Sequence, residues 1–108
     1  MAKEKLYVFR RYKLKQGNKN VRHPKLIVDS KEDQYGYMGL TSSDRRGHHK
    51  NYLLKNNPQK GQLGKSYLRT DIVYDKKKMF SEILNDYHLS IEDKKYVIEF
   101  VNKHKKKK

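Results

Sequence analysis

Apolar and aromatic positions in this chain fall into short runs separated by polar turns, and the spacing within the runs changes once along its length. Residues 5–13 carry Leu6, Tyr7, Val8, Phe9 and Tyr12, an aromatic and β-branched content that predicts a strand. Turn chemistry at Gln16, Gly17, Asn18, Lys19 and Asn20 ends it. The continuous Leu26, Ile27, Val28 run predicts a strand buried on both faces, with Pro24 tolerated at its start. After a turn at 30–33, residues 35–41 (Tyr-Gly-Tyr-Met-Gly-Leu-Thr) alternate large and small, as a strand does where something packs close against its backbone. Residues 42–50 form a polar basic loop, Tyr52–Leu54 a brief strand, 56–61 a turn, and 66–74 the last strand.

From Asp75 the period lengthens from two to near four. Asp75 can cap a helix over 76–84 whose Met79, Phe80, Ile83 and Leu84 share one face. Ser90 followed by Asp93 resembles a capping box with an acid shorter than the usual Glu. Tyr96, Val97, Phe100 and Val101 carry the second helical stripe to about Lys103. The expectation is one α+β domain over residues 1–103, about five strands in a small, strongly curved sheet or barrel followed by two helices, with 104–108 as a disordered basic tail.

Composition changes the picture in one respect. Charged residues (36%) outnumber hydrophobic ones (34%), a balance that leans toward disorder. The patterned clusters argue the other way, and nine Tyr and three Phe can fill a thin core while showing a polar edge. No run is long enough to span a bilayer as a helix and the first residues do not read as a signal peptide, so the expected location is cytoplasmic, with no membrane partner. The absence of cysteine excludes disulfides, thiolate zinc sites and cysteine nucleophiles.

Charge then narrows the partner. Twenty-seven Lys and Arg against twelve acids give a net charge of +15, and removing the five lysines of residues 103–108 still leaves +10. Such a field attracts polyanions, nucleic acid above all, since phosphate neutralisation supplies most sequence-independent affinity. Asp44 and Asp71 are isolated acids, and His48 and His49 are adjacent rather than at ligand spacing, so neither a metal site nor a cofactor is expected. The Gly61 to Ser66 stretch has the wrong glycine spacing for a phosphate loop and reads as a turn. Tyr7, Tyr12, Tyr35, Tyr37, Tyr52 and Tyr67 are mostly core, with one or two exposed and able to stack on bases.

The order of elements, with particular residues at the strand ends, resembles the MazF/PemK family of toxin ribonucleases. The resemblance rests on Arg22-His23-Pro24-Lys25-Leu26-Ile27-Val28, on Met38-Gly39-Leu40-Thr41-Ser42-Ser43, and on residues 66–73 followed by Asp75-Lys76 and Leu89 to Asp93. It spans about residues 5–103 and implies an SH3-like barrel with appended helices. It also implies a homodimer, metal-independent cleavage of single-stranded RNA, and neutralisation by an acidic antitoxin protein. The family places an arginine directly before the proline; here that position is His23, with Arg22 one residue earlier. Neighbouring side chains of an extended segment point to opposite faces, so Arg22 does not simply substitute. Either His23 has taken over the role or the activity is altered or lost.

Metal-free RNA cleavage needs a base for the 2′-hydroxyl, an acid for the leaving oxygen and cations for the phosphorane charge. His23 is the natural proton-transfer candidate, Thr41 and Ser42 the candidates for hydrogen bonding to the phosphate, and Arg22, Arg45, Arg46 and Arg69 the electrostatic stabilisers. Lys19, Lys25, His48, His49, Lys50 and Lys65 complete the expected nucleic-acid-binding set. The alternative is a non-catalytic nucleic-acid-binding or regulatory module on the same scaffold.

Overall fold

The computed structural model describes residues 5–13 and 23–106. The two longest strands hold most of the buried strand residues. β2 (Lys25–Lys31) and β3 (Gln34–Thr41) pair as an antiparallel hairpin and form the centre of the sheet. β1 (Val8–Arg10) adds to the free edge of β2. The other edge of β3 is shared. Its first half pairs with β8 (Val73–Lys76), while its end pairs with β7 (Tyr67–Leu68), which in turn pairs with β6 (Tyr52–Leu53). A separate two-stranded ribbon, β4 (Arg45–Arg46) with β5 (His49–Lys50), projects from the 42–50 segment around Gly47, whose φ of +60° only glycine adopts readily. One helix, α1 (Ile91–Lys106), follows. The architecture is thus a small α+β domain, an antiparallel sheet with one C-terminal helix.

Alternation along the strands divides the buried side chains between two faces. Leu26, Val28, Met38, Leu40 and Leu68 pack with Phe9, Tyr87 and the Val97 and Val101 stripe of α1. Ile27 and Tyr35 lie in a second cluster with Phe80, joined by Tyr12, Tyr37 and Met79. The Leu-Ile-Val run of β2 is therefore buried on both faces, as its composition predicts. A bulge between Ile27 and Asp29 shifts the register, so that Asp29 faces Gly36. Both glycines of β3 have a large side chain pressed against them: the Tyr74 ring lies over Gly36 and the Arg69 side chain crosses Gly39.

The expected helix over 76–84 is instead a single 3-10 turn, Lys77–Met79, followed by extended chain. Phe80 bridges to Tyr12, and its ring packs 5.2–5.7 Å from those of Tyr12, Tyr35 and Tyr37. The backbone beside it pairs with the first strand: Lys13 N donates to Met79 O, Ser81 N to Arg11 O and Leu84 N to Phe9 O. A nine-residue helix is marginal on its own, and these tertiary partners outweigh its pattern. The expected strand over 66–74 is interrupted at 69–72, and the one over 5–13 is regular only at Val8–Arg10, with a bridge at Tyr12. α1 continues three residues past its expected end. Lys105 Nζ reaches Asp29 Oδ1 at 3.2 Å, so 104–106 belong to the helix rather than to a tail.

Asp93 anchors the start of that helix. Its N–H donates to Ser90 Oγ, as in a capping box, but its carboxylate is fully buried and accepts from Tyr52 Oη, Lys55 N, Asn56 N and Ser90 Oγ. The short acid that made the box imperfect is what lets the carboxylate turn inward to the sheet.

Candidate active site

The sheet face away from α1 carries a cleft of about 250 Å³, and strand parity explains what lines it. On β2 and the residues leading into it, His23 and Lys25 lie two apart; on β3, Tyr37, Gly39 and Thr41 do; after β7, Arg69, Asp71 and Val73 do. Period-two alternation puts Tyr37, Gly39 and Thr41 on one side of β3, antiparallel pairing sets Lys25 opposite Gly39, and Arg69 and Asp71 reach the same face from the irregular segment between β7 and β8. Arg69 N donates to Gly39 O at 2.9 Å, extending the row to a third segment. Tyr12 closes the end of the cleft.

Lys25 is the most deeply placed charge lining the cleft. Only 6% of its surface is exposed. Its Nζ donates to His23 O at 3.2 Å and sits 4.4 Å from the centroid of the Tyr12 ring and 5.6 Å from that of Tyr37. Among the described residues, no carboxylate lies within ion-pair distance of it. Burial, and then the charge of Arg69, hold the ammonium below the ordinary lysine range. The two tyrosines are themselves fixed: Tyr12 and Tyr37 share a 2.9 Å hydroxyl contact, and Tyr12 Oη donates to Asp75 Oδ2 at 2.9 Å. Burial and these hydrogen bonds raise the Tyr12 phenol well above its usual range, so the hydroxyl stays protonated.

The remaining wall groups are more open. His23 is exposed, and no hydrogen bond to its ring occurs among the described residues. Thr41 closes β3, its Oγ1 accepting from Ser43 N at 3.2 Å. Arg69 and Asp71 also line a neighbouring depression with His49, Asn51 and Thr70, which joins the cleft to the base of the β4–β5 ribbon.

Of the residues singled out from the sequence, His23, Lys25, Thr41 and Arg69 come together in the cleft, and His49 borders it through Arg69. Ser42 and His48 are exposed outside the lining, Arg45 pairs with Asp44 at 3.7 Å, Arg46 lies on β4, and Lys50 is exposed on β5. Lys65 lines a different depression with Tyr52 and Leu63. Lys19 and Arg22 lie outside the described residues. Among the described residues, no three His, Asp or Glu side chains gather as metal ligands, and no helix is long and apolar enough to cross a membrane. Sequence reasoning missed the fixing of Tyr12 and Tyr37, the passage of Arg69 over Gly39, and the central position of Lys25. The signal was the shared odd-number parity of residues 23, 25, 37, 39, 41, 69, 71 and 73, which becomes legible once the pairing register is known.

Compared with known protein families, curated proteins and solved structures, the chain matches none of them.

Proposed function

We propose that this protein is a metal-independent endoribonuclease that cleaves single-stranded RNA in the cleft, acting as the toxin of a toxin–antitoxin pair. The carrying observation is the convergence of one imidazole, two cations and one hydroxyl, from three separated segments, on a single concave face. Those are the groups that transesterification by the 2′-hydroxyl needs. His23 takes the proton from the 2′-hydroxyl as that oxygen attacks phosphorus, and solvent water protonates the 5′-oxygen as the P–O5′ bond breaks. Arg69 and Lys25 offset the charge developing on the phosphorane, and Thr41 Oγ1 hydrogen-bonds a phosphate oxygen. The pairing of residues 79–84 back onto the first strand supports reading the sheet as a small SH3-like barrel. An acidic antitoxin would neutralise the same basic face, and a homodimer and a cytoplasmic location follow from the same reading.

A second reading, a non-catalytic RNA-binding module, is favoured by the exposure of His23 and the lack of a partner to orient its ring among the described residues. Incubation with a long single-stranded RNA in EDTA separates the two. The endoribonuclease yields fragments ending in 2′,3′-cyclic phosphate, and His23→Ala slows it by about 10²–10⁴-fold with RNA affinity little changed. Tight RNA binding without any cleavage leaves the binding module.

A further inference from the structure

Lys25, Gly39 and Arg69 form a row across three adjacent segments, and the glycine in the middle is what allows the two cations to converge. A Cβ on Gly39 would stand 3.3 Å from Arg69 Cδ, so the Arg69 side chain packs over the residue that faces Lys25 across the pairing. A nearly buried ammonium beside a guanidinium is a costly arrangement, because both charges lose water and repel each other. Proteins usually resolve it with a carboxylate. Here Asp71 stands on the rim, exposed, and no ion pair joins it to either cation among the described residues. The Tyr12 and Tyr37 rings hold the ammonium through their negative faces, which cage a cation without neutralising it. The site is therefore held ready for an anion supplied from outside.

We propose that the cleft floor is a phosphate site in which Lys25 Nζ and Arg69 together grip one backbone phosphodiester of an RNA strand. Tetrahedral oxygens suit two cations arriving from neighbouring strands with the Thr41 hydroxyl at the wall. This rests on the RNA reading for the source of the phosphate, but not on turnover. It gives Lys25, rather than the exposed ribbon, the largest share of the affinity carried by any one residue.

The test uses the full chain with lysine side chains labelled for NMR. Its probes are inorganic phosphate, an eight-nucleotide RNA 2′-O-methylated throughout so that it cannot be cleaved, the same oligomer with neutral methylphosphonate linkages, and a polyglutamate peptide. Phosphate and the methylated oligomer should both shift the Lys25 Cε resonance saturably, the oligomer at far lower concentration, while the neutral oligomer should not. Lys25→Met, which keeps the stem and removes the charge, should weaken the methylated oligomer by about 10–100-fold. Lys60→Met, which removes an equal charge from an exposed site elsewhere, should weaken it by less than about 3-fold. Arg69→Gln gives a second reading if Lys25→Met does not fold. An oligomer that binds without moving the Lys25 resonance overturns the proposal while leaving RNA binding intact. Polyglutamate binding as tightly as the oligomer overturns it in favour of an acidic protein partner. A Lys25 shift with no cleavage of natural RNA supports the phosphate site while the endoribonuclease reading fails.

Discussion

At the scale of single residues, Lys25 carries a pH signature that its surroundings fix in sign. Burial and Arg69 lower its proton affinity in the folded state, so just below the ordinary lysine value of 10.5 the unfolded chain holds more protons and stability rises with pH. Tyr12 acts oppositely. Burial and its bonds to Tyr37 and Asp75 keep its proton in the fold, whereas the unfolded chain releases it above 10.0, so stability falls there. Melting temperature should climb as pH approaches about 10 and then drop, and Lys25→Met should flatten the climb relative to wild type. Equal slopes for the two proteins would show that the ammonium is not desolvated in the fold. Little of this was legible from residue types. The sequence marks Lys25 as one lysine in a basic chain; only the register that sets it against Gly39, and the rings of residues 12 and 37, distinguish it from the rest.

Among the elements, legibility followed how much of each signal was local. β2 and β3 were readable because a continuous apolar run and a glycine alternation each require a specific surrounding. α1 was readable because Tyr96, Val97, Phe100 and Val101 repeat at helical spacing after a capping signal at Ser90. The 76–84 segment was misread because Met79, Phe80, Ile83 and Leu84 fit a short helical face as well as the 3-10 turn and irregular chain they adopt. What decides between the two is the pocket of three tyrosine rings around Phe80, assembled from distant sequence. The start of α1 yields a stability prediction. Asp93→Ala would leave Lys55 N–H, Asn56 N–H and the Tyr52 hydroxyl without their acceptor, at about 1–3 kcal/mol for each buried group left unpaired. Allowing for partial rehydration, denaturant unfolding should report a loss of about 3–5 kcal/mol. A loss below about 1 kcal/mol would mean that the carboxylate does not tie helix to sheet.

For the whole molecule, the thin apolar content is enough for collapse: the radius of gyration is 13.5 Å, against about 13 Å expected for a folded chain of this length. The core manages this by using tyrosine as filler on both faces of the sheet, with hydroxyls of Tyr52 and Tyr74 spent on Asp93 and Asp29. Under the proposed RNA reading, the charge that remains outside dominates association. The logarithm of the binding constant is expected to fall with log salt by about 0.7 per phosphate neutralised, and affinity that stays flat from low to physiological salt would rule out the electrostatic mechanism. The β4–β5 ribbon, finally, pairs with no other strand among the described residues and is closed at its base by Asn51, whose N–H donates to Asp44 O at 2.8 Å and whose Nδ2 donates to Ser43 O at 3.0 Å. Such a clamp fixes the base of the ribbon, while a side chain at Gly47 would meet nothing within 4 Å. Since doubling a loop's length costs only about 0.6 kcal/mol in closure entropy, residues can be inserted or exchanged around Gly47 at little expense to the fold. The ribbon is the place where a lineage, or an engineer, can rewrite the border of the cleft while the floor beside it is inherited unchanged.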